Sequence, residues 1–271
     1  MLIVIAIISL LMAITMPVLI NVRRNSRKML SSNNQRQIVN ALNLYASDNE
    51  NRYPESVATI GTYPNWNWQA PFVMTGIESH APHTYYAMGD YLREYVDDAS
   101  IMFCPSAPQK YKHLQQSWDA GENWINPDTS LPWVKGTYCF WWDYTGLLED
   151  GLFQGPRNLF GNIGTSKMMV SCYFGYDNWR SQGAFGSCEE FDAADSVPER
   201  NASSAYWSRD RNASFDLEDI KIKFRAAFSD GHVETFNASD MAELRVIKDR
   251  HTLEPYTYGP GTFFIPTQAL H

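Results

Sequence analysis

Residues 1–22, MLIVIAIISLLMAITMPVLINV, hold no charged side chain, and polar side chains occur there only at Ser9, Thr15 and Asn21. A run of about 20 apolar residues makes a helix of roughly 30 Å, enough to cross the hydrocarbon core of a bilayer. The remainder of the chain is polar and aromatic, as a domain in water should be. The pattern is that of one anchor at the N-terminal end and one exposed body.

Three readings compete for that run. A cleaved secretory signal has a basic n-region, a shorter apolar core and an Ala-x-Ala-like site; 1–22 shows none of these. A generic signal anchor is the plain alternative. The third reading takes in the residues beyond position 22. Arg23, Arg24, Arg27 and Lys28 close the apolar run, and a helical pattern then continues with Leu30, Ile38, Leu42 and Tyr45 on one face and Val39, Ala41 and Ala46 beside it. Asp48-Asn49-Glu50-Asn51 and Tyr53-Pro54 end it. One helix of about 50 residues, roughly 75 Å long, is predicted. Residues 1–22 form its transmembrane segment and 23–52 its amphipathic continuation. A bend is expected near Pro17, which lacks a backbone donor. The four cations have a plain reading as the marker of the headgroup level.

This arrangement resembles the type IV pilin and type II secretion pseudopilin family. The resemblance is carried by LIVIAIISLLMAITMPVLINVRR at 2–24, with Pro17 in mid-run, and by NNQRQIVNALNLYASDNENRYP at 33–54. It implies an α+β, pilin-like fold: a long N-terminal helix packed on an antiparallel-sheet head. It implies that Leu2, Ile3, Ile5, Ile7, Leu11 and Pro17 belong to the membrane helix of the stored subunit and to the core of an assembled filament. The implied partners are further copies, related pilin-like subunits and the inner membrane. The implied location is a single-pass membrane protein with a periplasmic or cell-surface head. The family's mature chains begin with a Phe-Thr-Leu-Ile-Glu-like run behind a short basic leader. Neither occurs in 1–22, so the native start is expected upstream of Met1.

The four cations alone would place residues 23 onward in the cytoplasm. The resemblance places them outside, and it is given precedence because a basic leader would compete. A net charge of −8 argues against an electrostatic nucleic-acid binder. Cys104, Cys139, Cys172 and Cys188 are even in number and form no Cys-x-x-Cys pair. In an oxidising compartment they allow two disulfides in three connectivities; otherwise they are buried thiols.

The 219 residues from 53 to 271 are enough for one exported head. Fourteen Pro and sixteen Gly chain-wide leave little room for long helices in it. The segment 87–98 is read as a second helix, with Met88, Leu92, Tyr95 and Val96 on one side. A short strand is read at 101–106, and buried strands at 136–142 and 168–176. A polar, irregular excursion is read at 177–215. The clearest local signal is a hairpin at 219–236: Ile220, Ile222, Phe224, Ala226 and Phe228 alternate, and Asp230-Gly231 supplies a two-residue turn. Phe228-Ser229-Asp230-Gly231-His232-Val233 is similar to the Asp-Gly-His-Val hairpin of a pseudopilin-like subfamily of planctomycete-type and lentisphaera-type bacteria, as Phe103-Cys104-Pro105-Ser106 is to its Cys-Pro step. That subfamily carries a His ten residues before the Asp, where this chain has Ile220.

No chemistry-bearing motif emerges. His80 and His83 flank Ala81-Pro82, which suits a loop rather than a helical zinc pair. Gly-x-Ser-x-Gly, phosphate-loop and dinucleotide patterns do not occur. The acids Asp216, Glu218, Asp219, Glu189, Glu190 and Asp192 read as solvated faces rather than a glycosidase pair. No enzyme activity and no resident cofactor are expected. Calcium stays open as a ligand of clustered carboxylates, although no Asp-x-Asp-x-Asp-Gly loop occurs. The Asn-Ala-Ser sequons at 201, 212 and 237 carry little weight. The expected work is assembly. The main rival is a membrane-tethered carbohydrate- or surface-binding module built on Trp66, Trp68, Trp118, Trp124, Trp141, Trp142, Trp179 and Trp207. A membrane-tethered hydrolase is a distant third.

Overall fold

The computed structural model of the chain describes residues 2–58, 70–76, 86–107, 111–128, 134–161, 165–176, 184–186, 196–201, 204–209, 217, 223–249, 253–255 and 261–270. Its longest element is α1, Leu2–Asp48, an unbroken helix of 47 residues that runs through Pro17. The helix ends where its pattern ends. Glu50 and Asn51 take left-handed backbone conformations (φ 54° and 62°), and the Asn51 N–H donates to Ala46 O at 2.8 Å. The Asn49 side chain donates to Tyr45 O, so a C-terminal carbonyl left without a helical partner is satisfied.

The second half of α1 lies against a four-stranded sheet in the order β13 (Val233–Asn237), β12 (Lys223–Phe228), β7 (Met168–Cys172), β4 (Tyr138–Phe140). A second sheet has eight strands. In order they are β10 (Ser196–Asn201), β11 (Ser204–Arg209), β9 (Ala184–Gly186), β8 (Phe174–Tyr176), β17 (Thr262–Pro266), β14 (Met241–Arg245), β5 (Thr145–Leu148) and β6 (Gly151–Gln154). A small sheet joins β1 (Val73–Gly76) to β2 (Tyr86–Ala87) and β3 (Val134–Lys135), and β15 (Ile247–Asp249) pairs with β16 (Glu254–Pro255). Every strand pairing among the described residues is antiparallel. The class is α+β, with one long helix and antiparallel sheets.

The core between these elements is aromatic. Trp141, Trp142, Tyr138, Tyr144, Phe174 and Phe263 are all buried. Trp141 packs edge-on against Tyr144 and Phe153, and its indole N–H donates to Ser171 Oγ at 2.7 Å. Rings at such angles gain from the positive edge of one meeting the negative face of the other.

Several local expectations are corrected. The helix at 87–98 is only α2, Met88–Leu92, because the N–H groups of Tyr95 and Val96 both turn back to Leu92 O and close the chain into a turn. Residues 101–106 are not a strand. Ala99–Met102 is a 3₁₀ turn started by Asp98, whose carboxylate accepts from Ser100 N–H. The stretch 168–176 is two strands parted at Tyr173, and each enters a different sheet. The 177–215 region contributes β9, β10 and β11 rather than irregular chain alone. There β10 and β11 form a hairpin pairing Ser196 with Arg209 through Asn201 with Ser204.

The 219–236 hairpin forms between β12 and β13, with Phe224 opposite Phe236 and Ala227 opposite Val233. Ile220 and Ile222 lie outside the described residues. Its connection is three residues, Ser229-Asp230-Gly231, not two. Phe228 N–H donates to His232 O across the closing pair, and Gly231 N–H turns back to Phe228 O. Gly231 sits at φ 84°, the left-handed position that ends a three-residue loop and that side chains resist. The alternation on β12 does not produce one wet face either. Phe224, Arg225, Ala226, Ala227 and Phe228 are all buried, as in a central strand covered on both sides.

Candidate functional site

The feature that sets this molecule apart is α1, and its two halves meet different surroundings. From Ile3 to Val22 the large apolar side chains are 47% to 77% exposed, and Ile3, Ile5, Ile7 and Leu11 are among them. Among the described residues this is the one helix long and apolar enough to cross a membrane, and none of the described head residues covers it. Pro17 is also exposed on it.

Arg23, Arg24, Arg27 and Lys28 come next. At about 100° per residue they share an arc of about 140°. That arc coincides with the side on which the head sits, because the buried positions Ser31, Asn34, Gln35, Ile38, Leu42 and Ala46 continue the same stripe. The cations therefore point beneath the head rather than away from it.

The head grips α1 first with polar groups. Ser31 Oγ lies 3.0 Å from Tyr138 Oη, and both are fully buried. The Cys104 thiol donates to Ser31 Oγ at 3.5 Å, and Cys104 N–H donates to Thr137 Oγ1 at 2.6 Å. Asn34 Nδ2 donates to Phe103 O. Gln35 Nε2 donates to Arg225 O at 3.4 Å and lies 3.5 Å from Cys172 Sγ. This seat ties α1 to β4, β7, β12 and the turn at 103–104 at once. Burial pushes the Cys104 thiol up, against the opposing pull of the Ser31 hydroxyl and the Arg225 charge. Burial likewise drives Tyr138 well up. Both stay neutral at ordinary pH, and the seat is held as a network of hydrogen bonds.

Above the seat the contact turns apolar. Ile38, Val39, Ala41, Leu42 and Ala46 are buried, and Tyr45 meets Tyr91 and Tyr95 edge-on. Leu30, which the helical pattern placed on this face, is 50% exposed instead. The stripe starts one residue later with Ser31. Sequence reasoning passed over Ser31, Asn34 and Gln35 because they are polar; their 3–4 spacing into Ile38 was the available signal.

The hairpin tip grips α1 from the side. Arg36 Nε donates to Gly231 O at 3.2 Å, and Asn43 Nδ2 donates to Ser229 O at 3.0 Å. Tyr53 Oη donates to Asn43 Oδ1, and burial lifts the Tyr53 phenol to about 12. Asp230 Oδ1 accepts from the His232 backbone N–H and lies 2.5 Å from His232 Nδ1, while the His232 ring stacks on Phe228 at 4.4 Å. Burial pushes the Asp230 carboxyl up, but the His232 hydrogen bonds together outweigh it and hold the group below its usual range. Asp230, Gly231 and His232 thus shape a loop that holds a helix.

The other residues singled out from the sequence disperse. Cys104 and Cys139 are free buried thiols, so they do not join a disulfide as expected; Cys172 is disulfide-bonded. Cys188, His80, His83, Trp66, Trp68, Trp179, Glu189, Glu190, Asp192, Asp216, Glu218 and Asp219 lie outside the described residues. Trp118, Trp124, Trp141 and Trp142 are buried and offer no face for stacking. Asn237 closes a capping box with Asp240. Among the described residues no group of three or more His, Cys, Asp or Glu is placed to hold a metal ion. No protein-family model, no curated protein and no solved structure matches this chain.

Proposed function

We propose that this chain is a membrane-anchored, pilin-like structural subunit that assembles into a filament or a secretion pseudopilus, with its head on the periplasmic or cell-surface side. One observation carries the reading. A single helix of 47 residues is apolar and bare over its first half and seated in an antiparallel-sheet head over its second. Such a subunit can be stored in lipid and later exchange lipid for neighbouring helices without refolding its head. Burial of one apolar face against like helices replaces the hydrocarbon it leaves. The cations beneath the head suit anionic headgroups while the subunit is stored. The burial of Trp118, Trp124, Trp141 and Trp142 weighs against the carbohydrate-binding alternative.

The test expresses the gene, with whatever precedes Met1 in its own locus, beside its own assembly genes. Filaments or cross-linked ladders of subunits are expected and should vanish for Ile7→Asp. A native protein that never forms ladders and binds a glycan tightly as a monomer would overturn the proposal in favour of the binding module.

A further inference from the structure

The side of α1 turned away from the head has an order of its own. Ser26, Leu30, Asn33, Gln37, Asn40 and Leu44 succeed one another at spacings of 4, 3, 4, 3 and 4, and every one is exposed. Alternating steps of three and four are the heptad spacing that keeps one seam of a helix against a partner helix. At about 100° per residue the seam lies about 150° around the axis from the stripe that seats the head. A partner there would meet the head only at the seam's edge, where Asn40 Oδ1 lies 3.7 Å from the place a Cβ on Gly231 would take.

The composition of the seam is unlike that of a helix face meant for water. Such faces carry Glu and Lys, which are good helix formers and pair at i, i+4. From residue 29 to residue 47 the only charged side chain is Arg36, and it bonds Gly231 O off the seam. Asn33 and Asn40 are weaker helix formers than Glu or Lys. Among the described residues the side chains of Asn33, Gln37 and Asn40 make no hydrogen bond that would explain their choice. Leu30 and Leu44 stand beside them at 50% and 57% exposure.

We infer that this seam packs on the same seam of a second copy, parallel and in register, while both are anchored in one bilayer. The inference rests on the membrane-anchor part of the proposed function. Two copies inserted in one membrane share direction and depth, so each position must face its own twin. Charged residues of one sign would repel their twins. Asn, Gln and Ser each donate and accept, so they pair with themselves, and an Asn at a heptad position fixes register. Leu30 and Leu44 bury against their twins in the same geometry. The seam ends below Ser26, where Arg23 at headgroup level turns to the head side.

The experiment places single cysteines in the full chain in membranes and applies a short thiol cross-linker, with the unsubstituted chain as background. Cross-linked dimer is expected for Asn33→Cys and Asn40→Cys and is expected to be lost for Arg27→Cys, which is exposed on the head side. Asn33→Lys with Asn40→Lys should abolish cross-linking at Ser26→Cys, while thermal unfolding of the head stays unchanged. Equal yields at 27 and 33 would overturn the seam. So would cross-linking at Ile5→Cys without any at 33 or 40; that outcome leaves helix association in the membrane standing. No dimer at 5, 33 or 40 would overturn both the seam and the assembly reading.

Discussion

The two halves of α1 are equally helical and helical for opposite reasons. The first half is crowded with β-branched residues: Ile3, Val4, Ile5, Ile7, Ile8, Ile14, Val18, Ile20 and Val22. These are mediocre helix formers in water, and they stand exposed, without packing on the head. They suit a medium without water, where every backbone group must find its partner within the segment. The second half is no better by propensity, with Asn33, Asn34, Asn40 and Asn43 in 11 residues. It is held by packing on one face, as most helices in folded proteins are. On the membrane-anchor reading a single secondary-structure element thus depends on two solvents, and a change in either half should be felt only in its own.

Leu42→Ala tests that separation most strongly. Leu42 is fully buried, so its truncation should lower head stability by about 2–5 kcal/mol. Thermal unfolding should report the loss, while membrane fractionation stays unchanged. Ile7→Asp is the mirror experiment. A carboxylate in the hydrocarbon centre costs about 2.5–3.5 kcal/mol on insertion scales. A smaller share of the protein should reach the membrane fraction, and the head should keep its melting temperature. If the head also melts earlier, the halves are coupled and the division fails. Tyr138→Phe probes the border between them. It removes a hydroxyl bonded to Ser31 and should cost about 1 kcal/mol, read by chemical denaturation and by faster amide exchange at residues 31–35. Leu44→Ala should be nearly silent, within about 0.5 kcal/mol in head stability, since its side chain is exposed.

The same split explains what was legible in the sequence. The helix and its end were legible because apolar period, the Asp48–Asn51 break and Pro54 all agree locally. The hairpin was legible because Asp230-Gly231 sits between strand-like runs. Its loop length was not, since two- and three-residue loops share those residues and only the closing Phe228–His232 pair decides. The split of 168–176 at Tyr173 was hidden because both strands are apolar, and which sheet each joins depends on distant partners. The seat was hidden for another reason. Ser31, Asn34 and Gln35 look like surface residues until Phe103, Tyr138 and Arg225 arrive from 69, 107 and 190 residues away.

The bare half of α1 is also a lever. Residues 2–30 reach about 43 Å beyond the head at 1.5 Å per residue, and the fulcrum is the hydrogen-bonded seat at 31–35. A sideways push at the tip becomes torque on a few short bonds. A pull along the axis is different: it loads the seat, the apolar contacts above it and the Arg36 and Asn43 clamps together in shear. The joint is therefore weaker to bending than to tension, so a force directed along the helix axis would carry the head with it.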